Sequence, residues 1–379
     1  MSKIIINTLG VSNSGGIKVL GKLLNECGSD VSNVYYVVCN NNSDIIKLID
    51  KFSIFKNINF EVVIDKGFLY RFFYENFYLV KFVNHTNANL IYNFSGSNQF
   101  FLKIPNIIKV QNLIFYSKKL DVSYRKKSQL ILWVRQVYLK RLFFKFMLSG
   151  TKHIEIQSNH VKKCLLDFID TREKFFYVKS DIDISDGAFH APRQYDFSKK
   201  IKFLYIVGPN FEYLHKNLMD FTNAMLSLNK KEIDFEINIT LTNKQLSQSK
   251  IWNPSLNSKT NFLGYISDHE KMTELFCNNT ILISTSIIET LGLHVIEGIK
   301  NGIITIAPDE DYAFSVYGKK MFKYSLFNKN SLPNVIMTVI NYEDSHSEKI
   351  LSIQSDLRQS EMNKAGTIID LFDEVINSQ

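Results

Sequence analysis

Cysteine is scarce in this chain. Cys27, Cys39, Cys164 and Cys277 are far apart and form no C-x-x-C pair. That excludes a C-x-x-C metal or redox motif, implies no disulfide framework, and fits a reducing compartment. Proline is nearly as sparse, with six in 379 residues, so no Pro-rich linker marks a domain boundary. No stretch approaches the roughly 20 uninterrupted apolar residues of a membrane span. The opening Met1-Ser2-Lys3-Ile4-Ile5-Ile6 passes straight into a strand-like run and lacks the longer apolar core of a signal peptide. A cytoplasmic location is the expectation. No His/Cys/Asp cluster has metal-ligand spacing, so neither a metal nor a cofactor is expected. Acidic residues are missing altogether from Val122 to Ile154.

What is present is length enough for two cores, since single cores stop growing at roughly 250–300 residues. Charge divides the chain in the same sense. Residues 1–180 carry 26 Lys and Arg against 12 Asp and Glu, and residues 181–379 carry 19 against 25. The first half alternates strand-like and helix-like segments: strands over Lys3–Asn7, Val34–Cys39, Asn59–Ile64, Leu90–Phe94, Ile107–Val110 and His153–Gln157, with helices over Gly15–Cys27, Ile45–Phe52, Phe68–Phe82 and Tyr124–Leu148. The pattern restarts at Lys202–Gly208 and continues through a helix at Asn217–Leu228 and strands at Glu236–Thr240, Asn261–Gly264, Thr280–Ser284 and Ile303–Ala307. Alternating βα units predict parallel, doubly wound sheets. The boundaries expected are 1–185 and 200–356, with a linker over Asp183–Lys200 and a C-terminal helix over 357–379.

The most informative stretch runs from Ser284 to Gly298. It leaves the apolar strand Ile281-Leu282-Ile283, passes Glu289, turns at Gly292 and resumes helical pattern at Leu293, with Glu297 eight residues after Glu289. A strand, a turn and a helix N-terminus bring backbone N–H groups to a point where a phosphate can be met. Carboxylates beside that point can hold sugar hydroxyls. The bland alternative is that Glu297 is a first-turn glutamate favoured by the helix dipole and Glu289 a solvated loop residue.

This arrangement resembles the E-x7-E motif of retaining glycosyltransferases of the GT-B fold, in particular family 4. The resemblance implies α/β architecture with two Rossmann-like domains facing a central cleft, an N-terminal acceptor domain and a C-terminal donor domain. It also implies a C-terminal helix that returns to the N-terminal domain. Glu289 would lie near the donor sugar and diphosphate, Glu297 would bind the ribose hydroxyls, and the turn Leu291-Gly292-Leu293 would meet the diphosphate. His294 stands where the family usually has Pro, and Gly298 where it usually has Ala.

Further elements fit the same pattern. His215-Lys216-Asn217 resembles the element whose Lys reaches the donor phosphates. The Arg that usually precedes it is missing from Val207-Gly208-Pro209-Asn210, so the leaving group would depend more heavily on Lys216. Asn261-Phe262-Leu263-Gly264-Tyr265-Ile266 resembles the strand and loop that line the base, where Tyr265 would stack; a structural aromatic is the alternative reading. Gly15 and Gly16, in Ser12-Asn13-Ser14-Gly15-Gly16, match the Gly-Gly loop that faces the diphosphate or acceptor. Ser95, Gln111 and Asn112 follow N-terminal strands, whose ends face the ligand crevice, and are acceptor-side candidates. Asp181-Ile182-Asp183 and Asp309-Glu310-Asp311 match the D-x-D string that binds metal in GT-A enzymes and are read as solvated loops.

The function implied is sugar transfer from a nucleotide-sugar to a glycan or lipid-linked acceptor, such as an O-antigen or capsule intermediate. The rivals are a nucleotide-sugar epimerase of the same fold and a non-catalytic membrane- or polymer-binding module. Basic residues interleaved with aromatics at Phe68–Phe82 and Arg125–Leu148 match an interfacial-membrane pattern, for a peripheral place on the inner membrane face. Ordinary core-facing helices with a basic solvated side would read the same way. No recognisable nucleic-acid motif accompanies the charge.

Overall fold

The computed structural model describes all residues except 12–13, 180, 183–188, 209, 267, 343–344, 361–365 and 379. It divides into two compact units. The first comprises Met1–Tyr116, Ile131–Ile182 and Lys364–Gln379, and the second comprises Ser117–Leu130 and Asp183–Asn363.

The first unit holds β1 (Ser2–Asn7), β2 (Asn33–Asn40), β3 (Ile58–Val63), β4 (Leu90–Asn93), β5 (Asn106–Val110), β6 (His153–Ile156) and β7 (Phe175–Val178). They form one sheet in the order β3-β2-β1-β4-β5-β6-β7, and each neighbouring pair is parallel. Runs such as Ile4-Ile5-Ile6 and Leu90-Ile91-Tyr92 are fully buried, as both faces of a parallel sheet require. β7 is one of two edge strands that sequence pattern missed, the other being Phe322–Tyr324 in the second unit; β7 is short and half-exposed.

The second unit holds β8 (Ile201–Tyr205), β9 (Phe235–Ile239), β10 (Thr260–Phe262), β11 (Thr280–Ile283), β12 (Ile304–Pro308) and β13 (Phe322–Tyr324). Its order is β10-β9-β8-β11-β12-β13, again parallel throughout. Both sheets therefore have the Rossmann winding, and each has a switch point where the strand order reverses. The switch lies between β1 and β4 in the first unit and between β8 and β11 in the second. The doubly wound α/β fold class is as expected.

Several elements differ from expectation. The helix expected over Tyr124–Leu148 is broken. Lys118–Lys126 ends before Ser128, which has φ 53°, and the chain then continues as Leu130–Trp133, a π-turn at Val134–Tyr138 and Leu139–Ser149. Phe68–Phe82 is likewise split by a π-turn at Tyr74–Tyr78, and the chain resumes as helix over Leu79–Thr86. A π-turn inserts one residue, which a 3.6-residue periodicity does not reveal.

The C-terminal helix is Ile368–Asn377 rather than 357–379, because Arg358 closes the preceding helix His346–Arg358. The helix belongs to the first unit. Its Ile368 N–H donates to Glu26 Oε2 at 2.9 Å, and Phe372 meets Tyr92 edge-on with centroids 5.2 Å apart. Of the expected linker, 183–188 lie outside the described residues. The following segment is strapped to the second unit, with His190 N–H donating to Lys300 O at 2.7 Å and Arg193 N–H to Gly302 O at 2.8 Å.

Of the two segments read as solvated loops, Asp309 and Asp311 are exposed, but Asp181 and Glu310 are not. Asp181 is buried and accepts from Lys109 Nζ at 2.5 Å, as does Glu155. Burial alone would lower the Lys109 pKa, but the two carboxylates outweigh it and raise it. Glu310 pairs with Lys119 and caps the helix Asp311–Tyr317. Asp183 lies outside the described residues.

Candidate functional site

The loops leaving β8 and β11 straddle the second unit's switch point, where open α/β sheets place ligands. After β8 a 3₁₀ turn, Leu214–Lys216, ends at Asn217 in the left-handed conformation (φ 50°) and opens the helix Leu218–Lys230. After β11 the chain runs Ser284–Leu291 and enters the helix Leu293–Lys300 at Gly292. The two loops are laced together. Ile287 N–H donates to His215 O at 2.7 Å, and the Thr285 hydroxyl donates to Lys216 O at 2.8 Å. Tyr205, at the end of β8, donates to Lys216 O at 3.2 Å and shares a hydrogen bond of 2.7 Å with Thr285 Oγ1. Tyr312 holds the second loop through Ser286 O at 2.6 Å.

This lacing brings together the two residues of greatest chemical interest. Lys216 Nζ lies 2.7 Å from Glu289 Oε1, and both side chains keep partial exposure, 26% and 16%. Burial alone would raise the Glu289 pKa. The Lys216 charge, His294 and hydrogen bonds from Lys216 and Ser286 overcome this and hold it at about 2. Glu289 is therefore a carboxylate at neutral pH. His215 is buried, and that burial, reinforced by Lys216 and opposed by Glu289, pushes its pKa down to about 3; its Nδ1 has no hydrogen-bond partner among the described residues. His294 is also lowered, by burial first and by Lys216, against Glu289 and Glu297. Its Nε2 contacts Ser284 Oγ at 3.0 Å, a tie back to the end of β11 that Pro could not make.

Gly292 has φ 60° and ψ 60° and caps the helix with no side-chain hydrogen bond. A Cβ there would lie 1.9 Å from Tyr317 Oη, so the turn admits only glycine. The helix presents its first-turn amides without a side-chain cap, the feature of an anion site. Glu297 is the fifth residue of this helix, half-buried and outside the first turn, so the dipole does not explain it. At Gly298 a Cβ would approach Leu282 Cδ2 to 2.7 Å and Thr305 Cγ2 to 3.0 Å. The glycine lets the helix press close on β11 and β12, which is its reason for standing in place of Ala.

Other expected residues fare unevenly. Leu291 is 1% exposed; its side chain belongs to the core, so a ligand can meet only its backbone. Leu293 is half-buried. Tyr265 is 61% exposed on the loop after the edge strand β10, two strands removed from the Lys216–Glu289 pair. Gly15 and Gly16 belong to the first unit and lie in the first turn of the helix Ser14–Ser29 rather than in a loop. Ser12 and Asn13 lie outside the described residues. In the same unit Ser95 Oγ accepts from Gly10 N–H at 3.2 Å. Asn112 uses its Oδ1 on Ile114 N–H at 2.9 Å, a local turn, and Gln111 is half-buried beside it. Sequence pattern missed Tyr205, Thr285 and Tyr312, because nothing about a hydroxyl in sequence signals which loop it will brace.

No protein-family model and no curated protein matches the sequence. Solved structures do match in shape. A glycosyltransferase from Rickettsia africae ESF-5 is 14% identical over 100% of this chain and 99% of that one, with a TM-score of 0.66. HepE from Anabaena, solved with UDP and glucose, is 14% identical over 100% of both chains, with a TM-score of 0.63. The lipopolysaccharide outer core galactosyltransferase WaaB is 14% identical over 100% of this chain and 99% of that one, with a TM-score of 0.60.

The fold is GT-B. At these identities the likeness is one of architecture, and chemistry must be argued from the site. Among the described residues no group of three or more His, Cys, Asp and Glu could hold a metal ion, and no helix is long and apolar enough to cross a membrane.

Proposed function

We propose that this GT-B chain is a retaining glycosyltransferase of the family 4 type. It moves a hexose or similar sugar from a nucleotide-sugar to a glycan or lipid-linked acceptor of the O-antigen or capsule kind. The observation that carries the reading is the Lys216–Glu289 pair at the β8/β11 switch point, beside the uncapped N-terminus of the helix Leu293–Lys300.

The chemistry follows from these groups. Lys216 and the helix amides take the donor diphosphate and stabilise the charge that builds as the anomeric C–O bond breaks. Glu289, displaced from Lys216 by the diphosphate, accepts a hydrogen bond from the donor sugar. Glu297 holds the ribose hydroxyls, and Tyr265 stacks on the base. The acceptor oxygen attacks the anomeric carbon from the face the diphosphate leaves, and its proton passes to the departing phosphate. No metal is required, since cationic and amide groups meet the diphosphate. The first unit binds the acceptor, with Ser95 and Gln111 among its polar strand ends. The protein works in the cytoplasm at the membrane surface.

A thermal-shift screen of UDP, GDP, dTDP and their sugars tests the donor site. One nucleotide series should stabilise the protein by RT ln(1 + [L]/Kd), about 2.7 kcal/mol at a hundredfold excess over Kd. If none does, the donor assignment falls and a non-catalytic binding module gains. Glu297→Ala should weaken donor binding about tenfold, the order of one lost charge-assisted hydrogen bond. Product analysis without acceptor separates a transferase from an epimerase of the same fold, which would convert the donor sugar unaided.

A further inference from the structure

The first unit has a polar constellation at its own switch point. Glu75 is 3% exposed, an unusual depth for a carboxylate. Its Oε1 accepts from Asn7 Nδ2 at 2.9 Å and from Ser97 Oγ at 2.8 Å. Asn7 ends β1 and Ser97 follows β4, so this carboxylate sits where the strand order reverses. The π-turn at Tyr74–Tyr78 carries it there. The extra residue in that turn buries Glu75 and Asn76 together, and Asn76 locks the turn by donating to Phe72 O at 2.9 Å and accepting from Phe100 N–H at 3.1 Å. π-turns of this kind recur at functional sites.

Above the carboxylate lies Arg71, one turn earlier in the same helix. Its Nε donates to Glu75 Oε1 at 3.2 Å, and its side chain is 26% exposed against 4% for Glu75. Among the described residues neither Nη1 nor Nη2 has a hydrogen-bond partner in the protein. The chain leaving β1 passes so close that a Cβ on Gly10 would lie 2.5 Å from Nη1 and 2.7 Å from Ser95. Glycine at position 10 lets the chain pass Nη1 without a side-chain clash, and the guanidinium keeps its partial exposure. A buried carboxylate thus aims a fixed planar fork of donors outward at a switch point.

We propose that Arg71 is an anion-binding residue of the first unit, positioned by Glu75, and that its ligand is a phosphate group carried by the acceptor. The guanidinium fork matches phosphate oxygens in pairs, which a lysine does not. Glu75 occupies only Nε, so the terminal NH2 groups remain for the ligand. The net basic charge of residues 1–180 favours an anionic partner over a neutral glycan. The inference rests on reading the first unit as the acceptor side.

The test is calorimetric titration of inorganic phosphate into the full chain, as wild type and as Arg71→Lys, each with and without Lys216→Ala. Arg71→Lys keeps a positive charge over Glu75, so the buried carboxylate is not stranded and the fold is retained. It should weaken one phosphate site about tenfold, the order expected for a lost charge-assisted pair. The effect should persist in the Lys216→Ala background. Unchanged affinity in Arg71→Lys overturns the proposal, as does complete loss of phosphate binding in Lys216→Ala alone. In a parallel arm, phosphatidylglycerol vesicles separate a lipid headgroup from a phosphate ligand. Loss of vesicle binding in Arg71→Lys with inorganic phosphate binding intact also overturns it. UDP binding reports on the donor reading independently. Arg71-dependent phosphate binding without UDP binding would leave the anion site standing and the transferase reading fallen, and the converse would do the reverse.

Discussion

Glu289 and His215 sit at one loop junction, and both resist protonation. The Glu289 carboxyl titrates near 2 in the folded chain against an ordinary 4.5. Its contribution to stability is therefore complete above about pH 4.5 and is lost as pH falls toward 2. That contribution is on the order of 3 kcal/mol. His215, buried and neutral, titrates near 3 against an ordinary 6.5. The unfolded chain takes up that proton first, so stability is lost from about pH 6.5 downward. Urea unfolding from pH 7 to pH 3 should show this. His215→Asn should flatten the loss between pH 6.5 and 4.5, and Glu289→Gln should flatten it only below 4.5. Parallel curves for wild type and both variants would contradict the site's electrostatics. Glu289, Glu297 and Lys216 were readable as candidates from sequence, because charged residues at strand–turn–helix junctions have few structural reasons to be there. His215 was visible only as Lys216's neighbour; its burial is a property of the packed loops.

At the scale of elements, the turn into the helix Leu293–Lys300 shows how tightly the site is framed. Gly292→Ala would impose left-handed strain of about 1–2 kcal/mol and drive a methyl group into Tyr317 Oη. Tyr317 is buried, and that hydroxyl has no hydrogen-bond partner among the described residues. Tyr317→Phe should thus be neutral or stabilising, since it removes an unsatisfied polar atom. Gly292→Ala should lower stability by about 2–4 kcal/mol, and the double variant should recover part of that and leave the strain. Thermal unfolding of the four proteins measures the coupling, and purely additive effects would rule out the clash. The strands were legible because buried parallel strands read as continuous apolar runs. The π-turns at Tyr74–Tyr78 and Val134–Tyr138 and the break at Ser128 were not. Each changes the backbone while leaving the apolar pattern almost intact.

At the scale of the whole molecule, the first unit presents an apolar surface that its core does not use. Phe68, Phe73, Phe77, Ile131, Leu139 and Phe146 are each at least half exposed. The helical segments that carry them touch through Phe68 and Phe143, with centroids 5.3 Å apart, and a loop ring joins in through Phe100 and Phe146 at 4.9 Å. Exposed aromatics contiguous with the exposed Lys140 and Lys145 are what an anionic bilayer interface would select. The full chain should co-sediment with phosphatidylglycerol vesicles at low salt and less with phosphatidylcholine. Half-molar salt should weaken binding, by about 1 kcal/mol for each basic residue engaged, and Ile131→Asp with Phe146→Asp should abolish it. Failure to co-sediment with phosphatidylglycerol at low salt would refute the membrane role.

By itself the sequence determined the two doubly wound halves, their opposite charge and the junction that carries Glu289 and Glu297. Periodicity, apolar runs and glycine at a turn are local properties, and they act before any tertiary contact forms. Only the tertiary structure decided that Lys216 meets Glu289 and that Leu291 is core. It also decided that Asp181 is a buried partner of Lys109 and that Glu75 aims Arg71 across a switch point. Those depend on which strands become neighbours, here β8 with β11 and β1 with β4. That choice is made by packing residues 68–90 positions apart, at a range where no sequence window can see.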